Sequence, residues 1–242
     1  MKPILFLDDG GVISDNRVRG PQWRRLVGAF FAPRLGGTPD AWAAANGVVV
    51  DGLFVPAVWE ARMAAARDYA DFERVYWWDW LRGMCELVGV PTPPHAEAVA
   101  LATEAGRWIP SQVHSGFPGA ADAIRALHAA GYTLYTASGE SSSDLDGYLG
   151  VLGVRGCFAR LYGPDLINTF KSGPDFYTRL LADAGVAPED ALFVDDRPEM
   201  IAWAAAVGAR TVLVSPDPLV SVADLTILRL ADLPPHLAQL EI

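Results

Sequence analysis

Four stations along the chain carry residues that could do chemistry together: Asp8-Asp9-Gly10, Ser138-Gly139, Lys171 and Asp195-Asp196. A carboxylate can attack phosphorus and form an aspartyl-phosphate, which makes an acid at the mouth of a site a candidate nucleophile. A second pair of acids offers the hard oxygen donors that Mg²⁺ prefers. A hydroxyl and a backbone amide at a helix start can bind phosphate oxygens. A lysine can neutralise the charge that builds on a phosphoryl group and on its attacker. Each station also has a plainer reading. Asp195 and Asp196 could simply cap the helix that follows, but acids packed beside other acids without a cation are costly, which favours a metal. Lys171 is singled out only by its place just before a Pro-initiated helix. His95, His114, His128 and His236 show no ligand spacing, and Cys85 and Cys157 make neither a disulfide framework nor a metal-binding pattern.

Such distant stations can meet only if a scaffold brings them to one edge. The apolar run Ile4-Leu5-Phe6-Leu7, with Pro3 before it, reads as a buried parallel strand. It stops at Asp8-Asp9-Gly10-Gly11, where glycines let backbone amides approach an anion; a strand followed by an Asp-Gly turn accounts for the same residues. From Gly116 onward helices and strands alternate. Helices are expected over 118–130, closed by Gly131, over 141–152, opened by serines, and over 174–184 and 200–207. Strands are expected over 132–137, 158–162, 191–194 and 211–214. This alternation predicts an α/β fold, a doubly wound parallel sheet with right-handed crossovers, in which ligands bind at the carboxyl ends of the strands near a switch in strand order.

Between residues 14 and 112 strand-like runs disappear, and helices are expected over 58–67, 72–87 and 95–106. Five of the eight tryptophans (Trp42, Trp59, Trp77, Trp78 and Trp80) fall here, as expected for the core of a small helical unit. The expected organisation is an α/β core of residues 1–14 and 113–242 with an all-helical insertion, 15–112.

The chain has 242 residues, 51% of them hydrophobic and 20% charged, enough to bury a full core. A formal net charge of -10 disfavours a nucleic-acid partner, which requires basic patches. No uncharged apolar stretch approaches the roughly 18 residues of a membrane span, and the N-terminal run is too short for a signal peptide. A soluble, cytoplasmic protein without a membrane partner is expected.

With these residues in place, the sequence resembles the haloacid dehalogenase-like (HAD) hydrolase superfamily over nearly its whole length. Leu5-Phe6-Leu7-Asp8-Asp9-Gly10-Gly11-Val12 is similar to that superfamily's first motif, and Tyr135-Thr136-Ala137-Ser138-Gly139 to its second. Phe170-Lys171-Ser172-Gly173-Pro174-Asp175-Phe176-Tyr177 is similar to the third, and Leu192-Phe193-Val194-Asp195-Asp196-Arg197-Pro198-Glu199 to the fourth. Ala223 to Ile227 and Leu230 to Pro234 are similar to its closing strand and helix. The resemblance implies a Rossmann-like HAD core with a helical cap inserted after the first motif, Asp15 marking its hinge.

It also implies a Mg²⁺-dependent phosphatase acting on a small phosphorylated metabolite. Asp8 is then the nucleophile and Lys171 the neutralising cation. Asp9, Gly10, Ser138, Gly139 and Lys171 bind phosphate, the first two through backbone amides. Asp8, the Gly10 carbonyl, Asp195 and Asp196 hold the metal, with the direct ligand of the last pair left open. One departure stands out. Gly10 replaces the second acid of the first motif, which in that superfamily protonates the leaving group and activates water. Asp9 is a poor substitute, since successive side chains of a strand point to opposite faces. Three explanations follow: a substrate with a good leaving group, an acid supplied by the cap or the substrate, or a non-catalytic phosphate- and metal-binding protein. Haloacid dehalogenation ranks lower, because Asp195 and Asp196 would repel a carboxylate substrate unless a cation neutralised them.

Overall fold

The computed structural model describes residues 2–217 and 219–239. The chain divides into two compact units, one made of the residues up to Asn16 together with those from His114 onward, the other of Arg17–Val113.

The first strand, β1 (Ile4–Leu7), is followed by a tight turn and then by five helices: α1 (Asn16–Leu35), α2 (Pro39–Leu53), α3 (Pro56–Ala65), α4 (Tyr69–Val88) and α5 (His95–Trp108). α1 contains Pro21 and Pro33 and would not be drawn as one helix from propensity. It forms because Leu26, Val27, Phe30 and Phe31 are buried along one side, an override of propensity by packing. α2 is started by Thr38, whose hydroxyl accepts a hydrogen bond from the Ala41 amide, with Pro39 in the first turn. The helix expected over 58–67 starts and ends earlier, as α3, because Ala66 is extended and Asp68 already caps α4 through the Asp71 amide. Gly89, at φ 78°, closes α4.

Tryptophans form the core of this helical unit. Trp42 and Trp80 are fully buried; Phe31 stacks on Trp42 at 5.1 Å and meets Trp80 edge-on at 5.5 Å. Their indole nitrogens are satisfied, Trp42 donating to the Gly36 carbonyl and Trp80 to Asn46 Oδ1, both at 2.8 Å. α1 crosses the start of α2 so closely that a side chain at Gly28 would meet the Pro39 carbonyl at 2.2 Å.

The other unit continues with α6 (Ala120–Ala129), β2 (Leu134–Ala137), α7 (Ser142–Val151), β3 (Phe158–Tyr162), α8 (Pro164–Ile167), α9 (Pro174–Ala184), β4 (Ala191–Asp195), α10 (Pro198–Ala206), β5 (Arg210–Val214), β6 (Leu225–Ile227) and α11 (Leu233–Gln239). β2 begins two residues later than expected because the Gly131 and Tyr132 amides turn back to the His128 and Leu127 carbonyls at the end of α6. All strand pairs are parallel, in the order β3-β2-β1-β4-β5-β6. The order reverses between β1 and β4, so β1 lies beside the switch point of a Rossmann-like doubly wound sheet.

Both faces of the sheet are covered, and the strand residues divide between them by alternation. Leu5, Leu7, Leu134, Leu192 and Val194 pack in one core with Ile124, Leu127 and Leu149. Phe6, Ala137 and Phe193 pack in the other with Phe176, Tyr177, Leu180 and Met200, and Phe6 stacks on Phe193 at 4.6 Å. Among the described residues, no single helix is long and apolar enough to cross a membrane.

Candidate active site

Strand register decides which acids meet. Leu7 pairs with Thr136 on one side and Val194 on the other, so the next residues, Asp8, Ala137 and Asp195, stand side by side at the carboxyl edge. Alternation puts Asp8 on the face of Phe6, and Asp195 on that of Phe193, toward α9. Lys171, just before α9, reaches this point. Its ammonium donates to Asp8 Oδ1 at 3.0 Å, to the Ala137 carbonyl at 2.7 Å and to Asp195 Oδ2 at 2.6 Å. The three ammonium hydrogens therefore have three acceptors from three adjacent strands. The Lys171 side chain is 8% exposed, and those of Asp8 and Asp195 are 11% and 6% exposed.

Burial has a different effect on each partner. It pushes the Asp8 carboxyl up to about 7, with the Asp195 charge adding to the rise and Lys171 opposing it. Burial would lower the Lys171 ammonium, but the charges of Asp8 and Asp195 outweigh it and hold the group above the ordinary lysine value. Asp196 is also raised, by burial and by the Asp195 charge.

Asp8, Asp195 and Asp196 each offer a carboxylate oxygen, and the three atoms lie within 4.8 Å of one another. An all-oxygen donor set of that size suits a hard divalent cation such as Mg²⁺. Asp195 is fixed further by the Arg197 amide, which donates to its Oδ1 at 2.9 Å. Asp196 lies over the first turn. A side chain on Gly11 would fall 2.1 Å from Asp196 Oδ2, and Gly11 sits at φ +90°. Only glycine meets both demands there.

Asp9 takes the opposite direction from Asp8 and is fully buried. Its carboxylate accepts from the Ser14 hydroxyl at 3.0 Å, and its carbonyl accepts from the amides of Val12, Ile13 and Ser14. Its side chain thus holds the turn that carries Gly10 and Gly11. Ser138, at the end of β2, is buried; its amide donates to the Tyr162 carbonyl and its hydroxyl accepts from Glu140. Gly139 follows, where an added Cβ would meet nothing within 4 Å.

Several residues at the site were not assigned from sequence. The Ala137 carbonyl is one, visible only through register. Tyr177 is another: its ring is buried, its hydroxyl makes no hydrogen bond, and burial raises its pKa beside Lys171, Asp195 and Asp8. Asp165, at the start of α8, accepts from the Ser142 amide at 2.8 Å and from the Ser142 hydroxyl. The first turn of α7 is thereby tied to the β3–α8 corner. Asn16 is the fourth, since its amide occupies the space in front of Gly10.

Fold and site together define a doubly wound α/β protein with a lysine-bridged carboxylate cluster beside its switch point. A family model described as haloacid dehalogenase-like hydrolase matches residues 39–208, and the chain belongs to that family of hydrolases. No curated protein matches the chain by sequence. Among solved structures, the L-2-haloacid dehalogenase from Xanthobacter autotrophicus is 16% identical, with a TM-score of 0.63 and 99% of each chain covered. A HAD-hydrolase from Bacillus subtilis bound to magnesium is 18% identical, with a TM-score of 0.64 and 100% of each chain covered. A HAD phosphatase from Thermococcus onnurineus is 19% identical, with a TM-score of 0.61 and 98% of each chain covered. At these identities the likeness is one of fold, shared by dehalogenases and phosphatases alike.

Proposed function

We propose that this hydrolase is a Mg²⁺-dependent phosphatase that works through an aspartyl-phosphate on Asp8. The observation that carries the reading is the Asp8, Asp195 and Asp196 cluster, whose first two members are bridged by the Lys171 ammonium. Three neighbouring carboxylates with one lysine among their partners leave an excess of negative charge that a divalent cation offsets. A dehalogenase substrate would instead bring a further carboxylate to this cluster. Asp8, the Gly10 carbonyl and Asp195 would hold the cation, with Asp196 in support. Bound there, Mg²⁺ supplies positive charge to the phosphoryl oxygens and lowers the pKa of Asp8.

The chain's own groups do the rest. The Asp8 carboxylate attacks phosphorus in line with the departing oxygen. Lys171 keeps Asp8 oriented and neutralises the charge shared between attacker and phosphoryl group. Ser138, Gly139 and the amides of Asp9 and Gly10 orient the phosphoryl oxygens. Water then releases phosphate and restores Asp8. The substrate is a small phosphorylated metabolite with a good leaving group, and both cysteines being free fits a cytoplasmic setting.

The test is phosphate release from acetyl phosphate and from an aryl phosphate, with Mg²⁺, with chelator, and with Asp8→Asn. Metal-dependent release that the variant loses by about 10³-fold or more is expected for a removed nucleophile. Full activity in Asp8→Asn removes the nucleophile assignment. Halide release from a 2-haloacid without metal turns the assignment to dehalogenation, and Mg²⁺ binding without any turnover turns it to a non-catalytic role.

A further inference from the structure

Gly10 has no conformational need to be glycine: it is absent from the chain's positive-φ glycines, so its backbone accepts a side chain. The space is taken by another residue. A Cβ built on Gly10 would lie 2.8 Å from Asn16 Nδ2 and 3.1 Å from Asn16 Oδ1. Asn16 opens α1 and is exposed. It is held there by a braced turn, in which the Gly11 amide donates to the Ser14 carbonyl, the Ser14 hydroxyl to Asp9, and the Asp15 amide to the Ser115 carbonyl. Asp9 faces into the core, and Asp196 is spread over Gly11. Two residues beyond Asp8, the polar side chain at hand is therefore a carboxamide.

A carboxamide donates hydrogen bonds but releases no proton at any working pH. We propose that Asn16 contacts the substrate, its Nδ2 donating a hydrogen bond to the leaving-group oxygen, and that this limits hydrolysis to phosphates whose leaving group departs as a stable anion. Acyl phosphates, which release a carboxylate, and aryl or enol phosphates are the class. The inference rests on the phosphatase reading above. In the first step a bond forms between an Asp8 oxygen and phosphorus while the bond from phosphorus to the leaving oxygen breaks. The electron pair departs on that oxygen, and no proton moves. In the second step water adds to phosphorus and the Asp8 oxygen leaves as a carboxylate. One water proton stays on the phosphate as its hydroxyl and the other passes to a phosphate oxygen. The enzyme intermediate is itself an acyl phosphate, so its breakdown makes the same modest demand on the leaving group.

The experiment measures kcat/KM for acetyl phosphate, p-nitrophenyl phosphate, phenyl phosphate and glycerol phosphate with Mg²⁺. Parent, Asn16→Ala and Asn16→Asp proteins are compared. The parent is expected to lose at least about 100-fold between the aryl and the alkyl phosphate, the scale of a missing general acid. Asn16→Ala lowers turnover of acetyl phosphate by about 10-fold, as expected for one transition-state hydrogen bond. Asn16→Asp raises the alkyl rate relative to the aryl rate by about 10-fold or more and adds a basic limb to the pH profile, as a titrating acid must. A structural role alone would move neither the leaving-group dependence nor that limb. Equal rates on aryl and alkyl phosphates in the parent, or an Asn16→Ala protein unchanged across the series, overturns the inference while leaving the phosphatase reading standing. No phosphate release by parent or Asn16→Asp from any of the four overturns the phosphatase reading, and the inference with it.

Discussion

Replacing Lys171 with Met keeps the volume of the stem and removes the ammonium. Three charge-assisted hydrogen bonds go, to Asp8 at 3.0 Å, the Ala137 carbonyl at 2.7 Å and Asp195 at 2.6 Å, each worth about 1.5–3 kcal/mol. Two nearly buried carboxylates remain side by side. The expected loss of metal-free stability at about pH 8 is about 3–5 kcal/mol, the cost of breaking a buried ion pair. The pH dependence has a definite sign. Burial holds Asp8 near 7, above the ordinary carboxylate value, so stability tied to its protonated form is present at low pH and lost as pH rises through about 7. Lys171 is raised above the ordinary lysine value, so its contribution is complete at neutral pH and is lost only in strong alkali. Without it the two carboxylates repel each other more, and the deficit of the variant grows from about pH 5 to about pH 8. Urea unfolding with chelator at both pH values measures this, and a third arm with Mg²⁺ is expected to recover part of the loss. A Lys171→Met protein as stable as the parent at about pH 8 in chelator would refute the reasoning, because the cluster would then need no internal cation.

Gly11→Ala forces a side chain into left-handed backbone and onto the Asp196 carboxylate. A loss of at least about 1–2 kcal/mol in thermal or urea unfolding is expected from the backbone alone, together with weaker Mg²⁺ binding by calorimetry as Asp196 is displaced. Unchanged metal affinity would separate Asp196 from the metal site. Trp80→Phe keeps most of the ring volume but strands the buried Asn46 oxygen. It is expected to cost about 1–3 kcal/mol by urea unfolding, and Asn46→Leu added to it should return part of that by removing the orphan.

The site combines two features that pull apart. The lysine-bridged carboxylates are arranged for charge-rich chemistry at the sheet edge, while the position two residues beyond Asp8 offers an amide. Under the proposed phosphatase chemistry, the first would favour attack by Asp8 and the second would withhold proton transfer, and the choice of leaving group would reconcile them.

Much of this was legible before any coordinates. Apolar runs such as those ending at Leu7 and Val194, each followed by paired acids and separated by capped helices, are the pattern of a parallel sheet buried on both faces. Alternation alone sets Asp8 and Asp9 on opposite sides, because side chains of a strand have a period of two. The sequence by itself thus determined the doubly wound fold and the residue types available at its carboxyl edge, since local periodicity and capping are read over a few residues. Tertiary structure decided the rest. Register across β2, β1 and β4 delivered the Ala137 carbonyl and both carboxylates to one ammonium. Packing of Phe30 and Phe31 carried α1 through two prolines. The turn after Asp8 placed Asn16 in front of Gly10 and Asp196 over Gly11. These relations join residues through space, and no local pattern encodes where a side chain from another turn or strand will come to rest.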